Sequence, residues 1–591
     1  MLQEPVAFEG VTFEIEESKV PGDYALKLKK NNQSVYVISK YKPKDNLTKL
    51  INLEKCNKKT MFIFIGYGMG YLAQHITNVI GKKTQIIVLE PSQQLLDAQL
   101  AITPATPNIV FFSGTNFNVL RNEIRGLINP LNIKDISVVM HPHYDEFYTE
   151  YLKDALSLIS DIKRGIQIDI NTVKKMDQNY IKNCVANLMH INKSRDFAYH
   201  KDRYKDIPAV IVSAGPSLDK NLEYLKDWNG LIFCAGRTIV SVRSIGKDAD
   251  FAGLIDYKKV INQTFMGHND VPLIALLDAG NTIIEEYRGD LYFVEHTPIA
   301  REMAGINLPK VNIGGSVATL CLDAAHYMGC NPIVFIGQDL SYSGNQSYSE
   351  TCNIHENRER IAQRLENKKG IRPIPAYNGG EVLTSNTLLV YLRWIEHYIQ
   401  SCDRTVEFIN ATEGGAKIAG TIQMPFKDVV EKYKHITKPQ IEHNLLLQEP
   451  IDLRWKLEEC IKRLKRTSTL CREAADVSSR LSYQYANFNP GRSPKMINQL
   501  RTRMKALNKK ISSAKIDTMV GYMFSNSAID IMTDDTYKRQ LDKKEYADSA
   551  GIAQGHENIY KALDESIYKV IDVINTQLEK ETSENKTEPV T

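Results

Sequence analysis

The segment Ser213-Ala214-Gly215-Pro216-Ser217-Leu218-Asp219 combines residue types in an order that suits anion chemistry. It follows an apolar run, Ala209-Val210-Ile211-Val212, and leads into a helical pattern. Gly215 permits a tight turn, and Pro216 pre-sets the backbone of a first helical residue. Ser217 then offers a hydroxyl beside free amides to an anionic oxygen. The same serine can equally do no more than cap the helix. A second segment, Ile313-Gly314-Gly315-Ser316-Val317-Ala318-Thr319, opens another helix with small residues. A third, Gly337-Gln338-Asp339-Leu340-Ser341-Tyr342, follows the apolar run Ile333–Ile336. Residues just past a strand's carboxyl end face the ligand crevice of an open α/β sheet, and Asp339 and Tyr342 fall there. A polar strand end that only caps the next loop would read the same way.

Gly66-Tyr67-Gly68-Met69-Gly70 is the more obvious glycine turn, with Glu90 placed 20 residues after Gly70. An acid at that distance can accept a ribose hydroxyl, which suits S-adenosylmethionine or a dinucleotide. Such turns also close sheets without any ligand. Asp248-Ala249-Asp250 has the D-x-D form of metal-dependent glycosyltransferases, but it precedes a strand instead of following one, so a structural turn is expected. His141-Pro142-His143 has no third ligand nearby, and a surface turn is expected there too. No metal site is expected.

These turns need strands and helices to hold them. Val11–Ile15 and Ser34–Ile38 alternate apolar and polar residues and read as antiparallel strands, with Pro21-Gly22-Asp23 between them. Met61–Ile65, Gln85–Leu89, Asn108–Phe112 and Ile136–Met140 read as strands of a parallel sheet. A second series comprises Ala209–Val212, Leu231–Cys234, Phe251–Ile255, Pro272–Ala275, Leu291–Val294 and Ile333–Ile336. Beyond about Thr437 strand signals fade, and leucine-spaced charged segments predict a helical bundle. The fold class is therefore α/β, with two Rossmann-like, mostly parallel sheet domains followed by a C-terminal helical bundle. The expected boundaries are a β segment over 1–45, a Rossmann-like domain over 46–165, a helical connector over 166–204, a central domain over 205–437, a helical domain over 438–578 and a disordered tail over 579–591.

The chain has 591 residues, a net charge of +4 and 24% charged residues, an ordinary globular balance that gives no reason to invoke nucleic acid or an anionic membrane. No apolar run is long enough to span a bilayer, and the first residues lack the features of a signal peptide. The nine cysteines are scattered with no C-x-x-C pair, which fits reduced thiols in a cytoplasm. The basic helical run Arg501-Thr502-Arg503-Met504-Lys505 with Lys509-Lys510 reads as a solvated face, with a protein-gripping surface as the alternative.

Taken in order, these segments resemble the motility accessory factor (Maf) family of flagellin glycosyltransferases. The residues that carry the resemblance are Val210–Asp219, Gly246-Lys247-Asp248-Ala249-Asp250 with Ile255-Asp256, Gly315–Ala318 through Asp339–Tyr342, Gly379–Ser385 and Asn410–Ala416. The resemblance implies an inverting transferase that moves a nonulosonic acid, of pseudaminic or legionaminic type, from its CMP ester to serine or threonine of flagellin. The central domain is similar to that of bacterial sialyltransferases that use CMP-sialic acid. By that likeness Gly215, Pro216, Ser217 and Ser316 hold the nucleotide, with Ser213, Gly315, Thr384 and Thr412 from the same blocks beside them. The asparagines those enzymes carry on the next two strands are replaced by Ala235 and Asp256.

The chemistry follows from the donor. A CMP-sugar loses CMP through an oxocarbenium-like state, so fixed donors at the leaving phosphate stabilise the transition state. Ser217 and Tyr342 are suitable donors. CMP is a good leaving group, so no cofactor is required. The acceptor hydroxyl needs a base, and His355, Asp339 and Asp256 are the candidates. Three other classes of protein fit parts of the pattern: a pterin pyrophosphokinase sharing the G-P-S-x-D turn, a methyltransferase working through Gly66–Gly70, and a flagellin-binding protein without catalysis.

Overall fold

The computed structural model describes residues 10–584, apart from 46–48, 54–55, 57–59, 82–83, 115–116, 129–131, 259–264, 344–345, 353–360, 362, 364, 368–369, 444–449, 517, 522 and 525–544. The chain divides into two compact units, Met1–Thr172 and Val173–Thr591.

The first unit opens with a three-stranded antiparallel sheet, β1 (Val11–Glu17), β2 (Tyr24–Lys30) and β3 (Gln33–Ile38). The two strands expected here do not pair with each other. The middle strand β2, hidden in the alternation Leu26-Lys27-Leu28-Lys29, pairs with both, and it buries Leu26 and Leu28 while its lysines face outward. A parallel sheet follows in the order β6-β5-β4-β7, formed by β4 (Met61–Ile65), β5 (Ile86–Glu90), β6 (Ile109–Ser113) and β7 (Ile136–Met140). The central strands β4 and β5 are buried at every residue, and the edge strands β6 and β7 are not. That contrast explains why the central pair reads as continuous apolar runs. Helices α1 (Tyr71–Ile80), α2 (Gln93–Ile102), α3 (Phe117–Leu127), α4 (Tyr144–Phe147) and the long α5 (Thr149–Leu188) complete this part of the chain.

The second unit is built on an eight-stranded sheet in the order β12-β11-β10-β9-β8-β13-β16-β17, and every pairing in it is parallel. Its strands are β8 (Ala209–Val212), β9 (Leu231–Cys234), β10 (Phe251–Leu254), β11 (Leu273–Leu276), β12 (Leu291–Val294), β13 (Ile333–Ile336), β16 (Phe408–Asn410) and β17 (Ile422–Gln423). A two-stranded hairpin, β14 (Ile371–Pro375) and β15 (Glu381–Ser385), stands apart from it. Alternate residues feed two separate cores. Val210, Val212, Ile232, Val334 and Ile336 enter one, and Ala209, Ile211, Leu231, Ile333 and Phe335 enter the other. The helices between strands are α6 (Leu218–Leu225), α7 (Thr238–Ser244), α8 (Asn281–Glu286), α9 (Ile299–Ala304), α10 (Val317–Tyr327), α11 (Asn386–Ser401) and α12 (Phe426–Tyr433).

The chain ends in α13 (Leu453–Ala486), α14 (Ser493–Ser512) and α15 (Glu545–Glu584), with α13 packed on both others. The basic run of α14 lies on its exposed side, and Arg503 pairs with Glu473. The expected disordered tail begins too early. Helix α15 continues to Glu584 because Arg454 donates to the Leu578 carbonyl and to Thr582, and Lys580 pairs with Glu285 3.0 Å away. Among the described residues no helix is long and apolar enough to cross a membrane.

Candidate functional site

From β8 the chain steps outward through β9, β10, β11 and β12, then returns to lay β13 on the other side of β8. The strand order therefore reverses between β8 and β13, and the crevice of such a sheet opens at the carboxyl ends flanking that point. The Ser213–Leu218 turn leaves β8 there, and Gly337–Tyr342 leaves β13.

The two segments are zipped together. Ser213 N–H donates to the Ile336 carbonyl at 3.0 Å, Gly215 N–H donates to the Gly337 carbonyl at 2.8 Å, and the Ser213 hydroxyl donates to Gln338 Oε1. Gly215 is required by this approach, since a Cβ there would sit 2.1 Å from Asp339 Oδ2 and 2.5 Å from the Gly337 carbonyl oxygen. Asp339 is the hub. Its Oδ2 accepts the Ser217 N–H at 3.1 Å and the Ser217 hydroxyl at 2.6 Å, and its Oδ1 accepts the Ser343 hydroxyl at 3.2 Å. Its own carbonyl accepts the Ala416 N–H at 2.7 Å. Gly415, at φ 68°, lets the Asn410–Ala416 block pass so close that a Cβ would lie 2.3 Å from the Asp339 carbonyl oxygen. The Gly379–Ser385 block joins through Tyr342 N–H, which donates to the Leu383 carbonyl at 2.9 Å, and through the Thr384 hydroxyl, which donates to the Leu340 carbonyl at 2.7 Å. Leu340 and Glu413, both non-glycine, hold positive φ values of 52° and 56° within these turns, a local strain that the surrounding bonds must maintain.

These contacts decide what each expected residue can do as it stands. Asp339 is buried with its lone pairs engaged, and burial holds its carboxyl above the usual range. In that setting it ties the surrounding loops together. Ser217 has both its amide and its hydroxyl taken by Asp339, and Thr384 and Thr412 are fully buried. Pro216 is half-buried in the turn ahead of α6. Asp219, exposed at the start of α6, accepts from the Glu350 amide at 3.1 Å, the Thr351 hydroxyl at 3.0 Å and the Ser349 hydroxyl. It fastens residues 349–351 over the turn. His355, which follows, lies outside the described residues.

The Gly315-Ser316 turn is different. Ser316 is the N-cap of α10, a helix of 11 residues, and its half-buried hydroxyl makes no hydrogen bond among the described residues. Gly253 brings this helix start to the end of β10, because a Cβ at Gly253 would lie 2.9 Å from both Cys321 Sγ and Val317 Cγ1. The Tyr391 ring would lie 3.4 Å from a Cβ at Gly315, and the same phenol, pushed up by burial, feels the charge of Asp256. Ser316, Asp256 and Tyr391 thus share one end of the crevice. Tyr391 was not identified from sequence. Its signal was its place on the helix that follows the Gly379–Ser385 block. The Tyr342 phenol, at the other side of the switch point, is half-buried and has no hydrogen-bond partner among the described residues.

The remaining motifs resolve locally. Asp250 is half-buried and accepts the Ile232 amide at 2.8 Å and the Lys438 ammonium at 2.6 Å, and Asp248 pairs with Arg243, so D-x-D is a structural turn. In the first unit Gly66, Gly68 and Gly70 all hold positive φ, and a Cβ on each would lie 2.4 Å from the Tyr144 ring, the His141 ring and the Tyr67 hydroxyl respectively. Those side chains pack directly against the three glycines. Glu90 accepts the Tyr67 amide and the Tyr144 hydroxyl, each at 3.0 Å, and burial pushes its carboxyl up to about 7. His141, expected in a surface turn, is buried instead, and burial pushes its imidazole down to about 4.

A doubly wound α/β protein with two parallel-sheet regions and a helical C-terminal bundle is the class these features define. The same fold is found in the Maf glycosyltransferase of Magnetospirillum magneticum AMB-1, with a TM-score of 0.53, 12% identity and coverage of 98% of this chain and 96% of that one. The resemblance read from the ordered blocks is thereby matched in fold along nearly the whole chain. A family profile described as 6-hydroxymethylpterin diphosphokinase MptE-like matches residues 182–345, the stretch from the end of α5 to just beyond Ser343. No curated protein matches the sequence.

Proposed function

We propose that this chain is a glycosyltransferase that takes a sugar from a nucleotide donor bound at the β8–β13 switch point. The meeting of the Ser213–Ser217, Gly379–Ser385 and Asn410–Ala416 blocks on the Gly337–Tyr342 segment supports this most directly. Segments scattered from Ser213 to Ala416 are folded into one rim, and the fold is shared with a Maf glycosyltransferase. The proposed donor is a CMP-activated nonulosonic acid, and the proposed acceptor is serine or threonine of flagellin in the cytoplasm. In this reading the Ser316 hydroxyl and the first two amides of α10, Val317 and Ala318, meet the phosphate, because among the described residues they donate to no other group. Ser213, Gly215, Pro216, Ser217, Asp339, Thr384 and Thr412 position that rim. Tyr342 donates to the leaving phosphate, where negative charge grows as the glycosidic bond breaks. No cofactor takes part.

Isothermal titration with CMP, ATP and S-adenosylmethionine tests the reading. CMP binding that is lost in Ser316→Ala supports it, and ATP binding without CMP binding sinks it. The second outcome would favour the pterin diphosphokinase reading, which the match over residues 182–345 recommends. The mass of flagellin, with and without this protein in its own cell, tests the acceptor, and an unchanged mass removes it.

A further inference from the structure

Strand β9 lies beside β8, and the segment that leaves it is tied to the switch point. The Ala235 amide and the Thr238 hydroxyl both donate to the carbonyl of Val212, the last residue of β8, at 3.1 Å and 3.0 Å. Buried Gly236, at φ 63°, makes the turn between them. Arg237 therefore stands next to the Ser213 turn, at the carboxyl edge of the sheet where the crevice opens.

Arg237 is half-buried, yet its guanidinium makes no ion pair or hydrogen bond among the described residues. Arg243, at the far end of α7, is half-buried too, and it pairs with Asp248 at 2.9 Å and with Asp270 at 2.8 Å. Arg195 pairs with Asp290 at 2.8 Å. A guanidinium drawn part-way out of water loses solvation that an anion meeting its N–H fork restores.

The direction of the side chain is marked by its neighbours. Burial pushes the Cys352 thiol up, and the Arg237 charge acts on it in the opposite sense. Cys352 is buried against α7, with its Sγ 3.4 Å from Ser241 Oγ. The guanidinium thus lies toward residues 349–352, and the Ser349 amide in turn donates to the Ala214 carbonyl at 2.8 Å. An arginine that only laid its stem on apolar surface would carry its head out to open water, away from a segment that closes on the Ser213–Ser217 turn. Helices α7 and α10 pack on opposite faces of the sheet, with Ile239 and Val242 in one core and Leu320 and Leu322 in the other. Arg237 and Ser316, at the starts of these helices, flank the ends of β9 and β10 from the two sides.

We propose that Arg237 is the cation of the donor site, receiving two anionic oxygens from the donor's phosphate or from the carboxylate of its sugar. The planar fork suits either group, because each presents two oxygens at matched spacing. The identity of the anion rests on the glycosyltransferase reading, and the place of the cation does not.

The test is calorimetry on the full chain with CMP, cytidine and the CMP ester of a nonulosonic acid. In Arg237→Gln the unfolding midpoint stays at or above that of wild type, because an unpaired charge is removed, and cytidine affinity stays within about twofold. If the phosphate is the partner, CMP affinity falls about tenfold or more. If the carboxylate is the partner, CMP binds as in wild type and the ester alone loses about tenfold. Arg237→Lys recovers part of either loss, since the charge remains without the fork. Wild-type affinity of Arg237→Gln for both CMP and the ester overturns the assignment. An equal loss of cytidine affinity with a lowered unfolding midpoint overturns it as well, because it marks a structural role. A wild-type chain that binds neither CMP nor the ester removes the transferase reading alone. Inorganic pyrophosphate is then the probe: binding about tenfold weaker in Arg237→Gln keeps the anion site, and equal binding removes it.

Discussion

Replacing Asp339 separates its role as an acceptor hub from a role in chemistry. In Asp339→Ala the Ser217 amide, the Ser217 hydroxyl and the Ser343 hydroxyl all lose their acceptor. The hydroxyls can rotate toward other partners, at about 0.5–1.5 kcal/mol each. The amide cannot, and a buried orphan donor costs about 1–3 kcal/mol. The removed carboxylate was itself buried at some expense, which returns part of the loss. The balance is about 2–5 kcal/mol of stability, with CMP affinity reduced at least tenfold as the Ser213–Ser217 and Asn410–Ala416 turns come apart. Asp339→Asn is expected to be mild. Its amide oxygen can accept from Ser217, and its NH₂ can donate to the Ser343 hydroxyl, so only the charge is lost, at about 1 kcal/mol. Urea unfolding followed at Trp228, which packs in the same unit near Phe426, reads stability, and calorimetry reads CMP affinity. If Asp339→Asn matches Asp339→Ala in lost transfer while its stability and CMP binding remain those of wild type, the hub account is wrong and the carboxylate acts on the reaction.

Other outcomes follow from the same geometry. Ser316→Ala should weaken CMP binding with little change in stability, whereas Ser217→Ala should cost about 1 kcal/mol of stability, since its hydroxyl is spent on Asp339. Gly68→Ala should destabilise the first unit by about 2–4 kcal/mol through its positive φ and the His141 ring 2.4 Å from the added Cβ, and a second change, His141→Ala, should recover part of that loss. In the first unit Glu90, raised from 4.5 to about 7, contributes stability present at low pH and lost as pH rises toward 7. His141, lowered from 6.5 to about 4, does the opposite, with stability lost as pH falls from 6.5 toward 4. The two nearly cancel between pH 4.5 and 6.5. Glu90→Gln should expose the histidine alone, with first-unit stability rising by about 3 kcal/mol from pH 4 to 6.5. Hydrogen exchange of β4–β7 peptides, corrected for intrinsic rate, measures this, and an unchanged profile contradicts it.

Strands buried on both faces were readable nearly to the residue. β4, β8, β9, β12 and β13 begin and end where their apolar runs do, because a doubly covered parallel strand has no polar positions to blur it. The hairpin β14–β15 and the three-residue β16 left no such run, and β2 was masked by its outward lysines. Residue types at the site were equally legible, since Gly215, Gly315 and Ser316 announce close backbone approach and a helix start. Their partners were not. Nothing local to Ser217 reveals that its hydroxyl belongs to a carboxylate 122 positions later, or that Tyr391 closes on Gly315. The glycines at 66, 68 and 70 show the converse, a ligand-like spacing required by the protein's own rings.

The placement of β13 beside β8 has a consequence for synthesis. A ribosome delivers β8, β9, β10, β11 and β12 in order, so that half of the sheet can assemble as it emerges. The slot on the far side of β8 stays open until Ile333–Ile336 arrives, and the Ser217 donors wait 122 residues for Asp339. At 5–20 residues per second that interval is roughly 6–24 s. During it the growing chain presents an unpaired apolar strand edge next to unmet amides, the surface a holding chaperone binds.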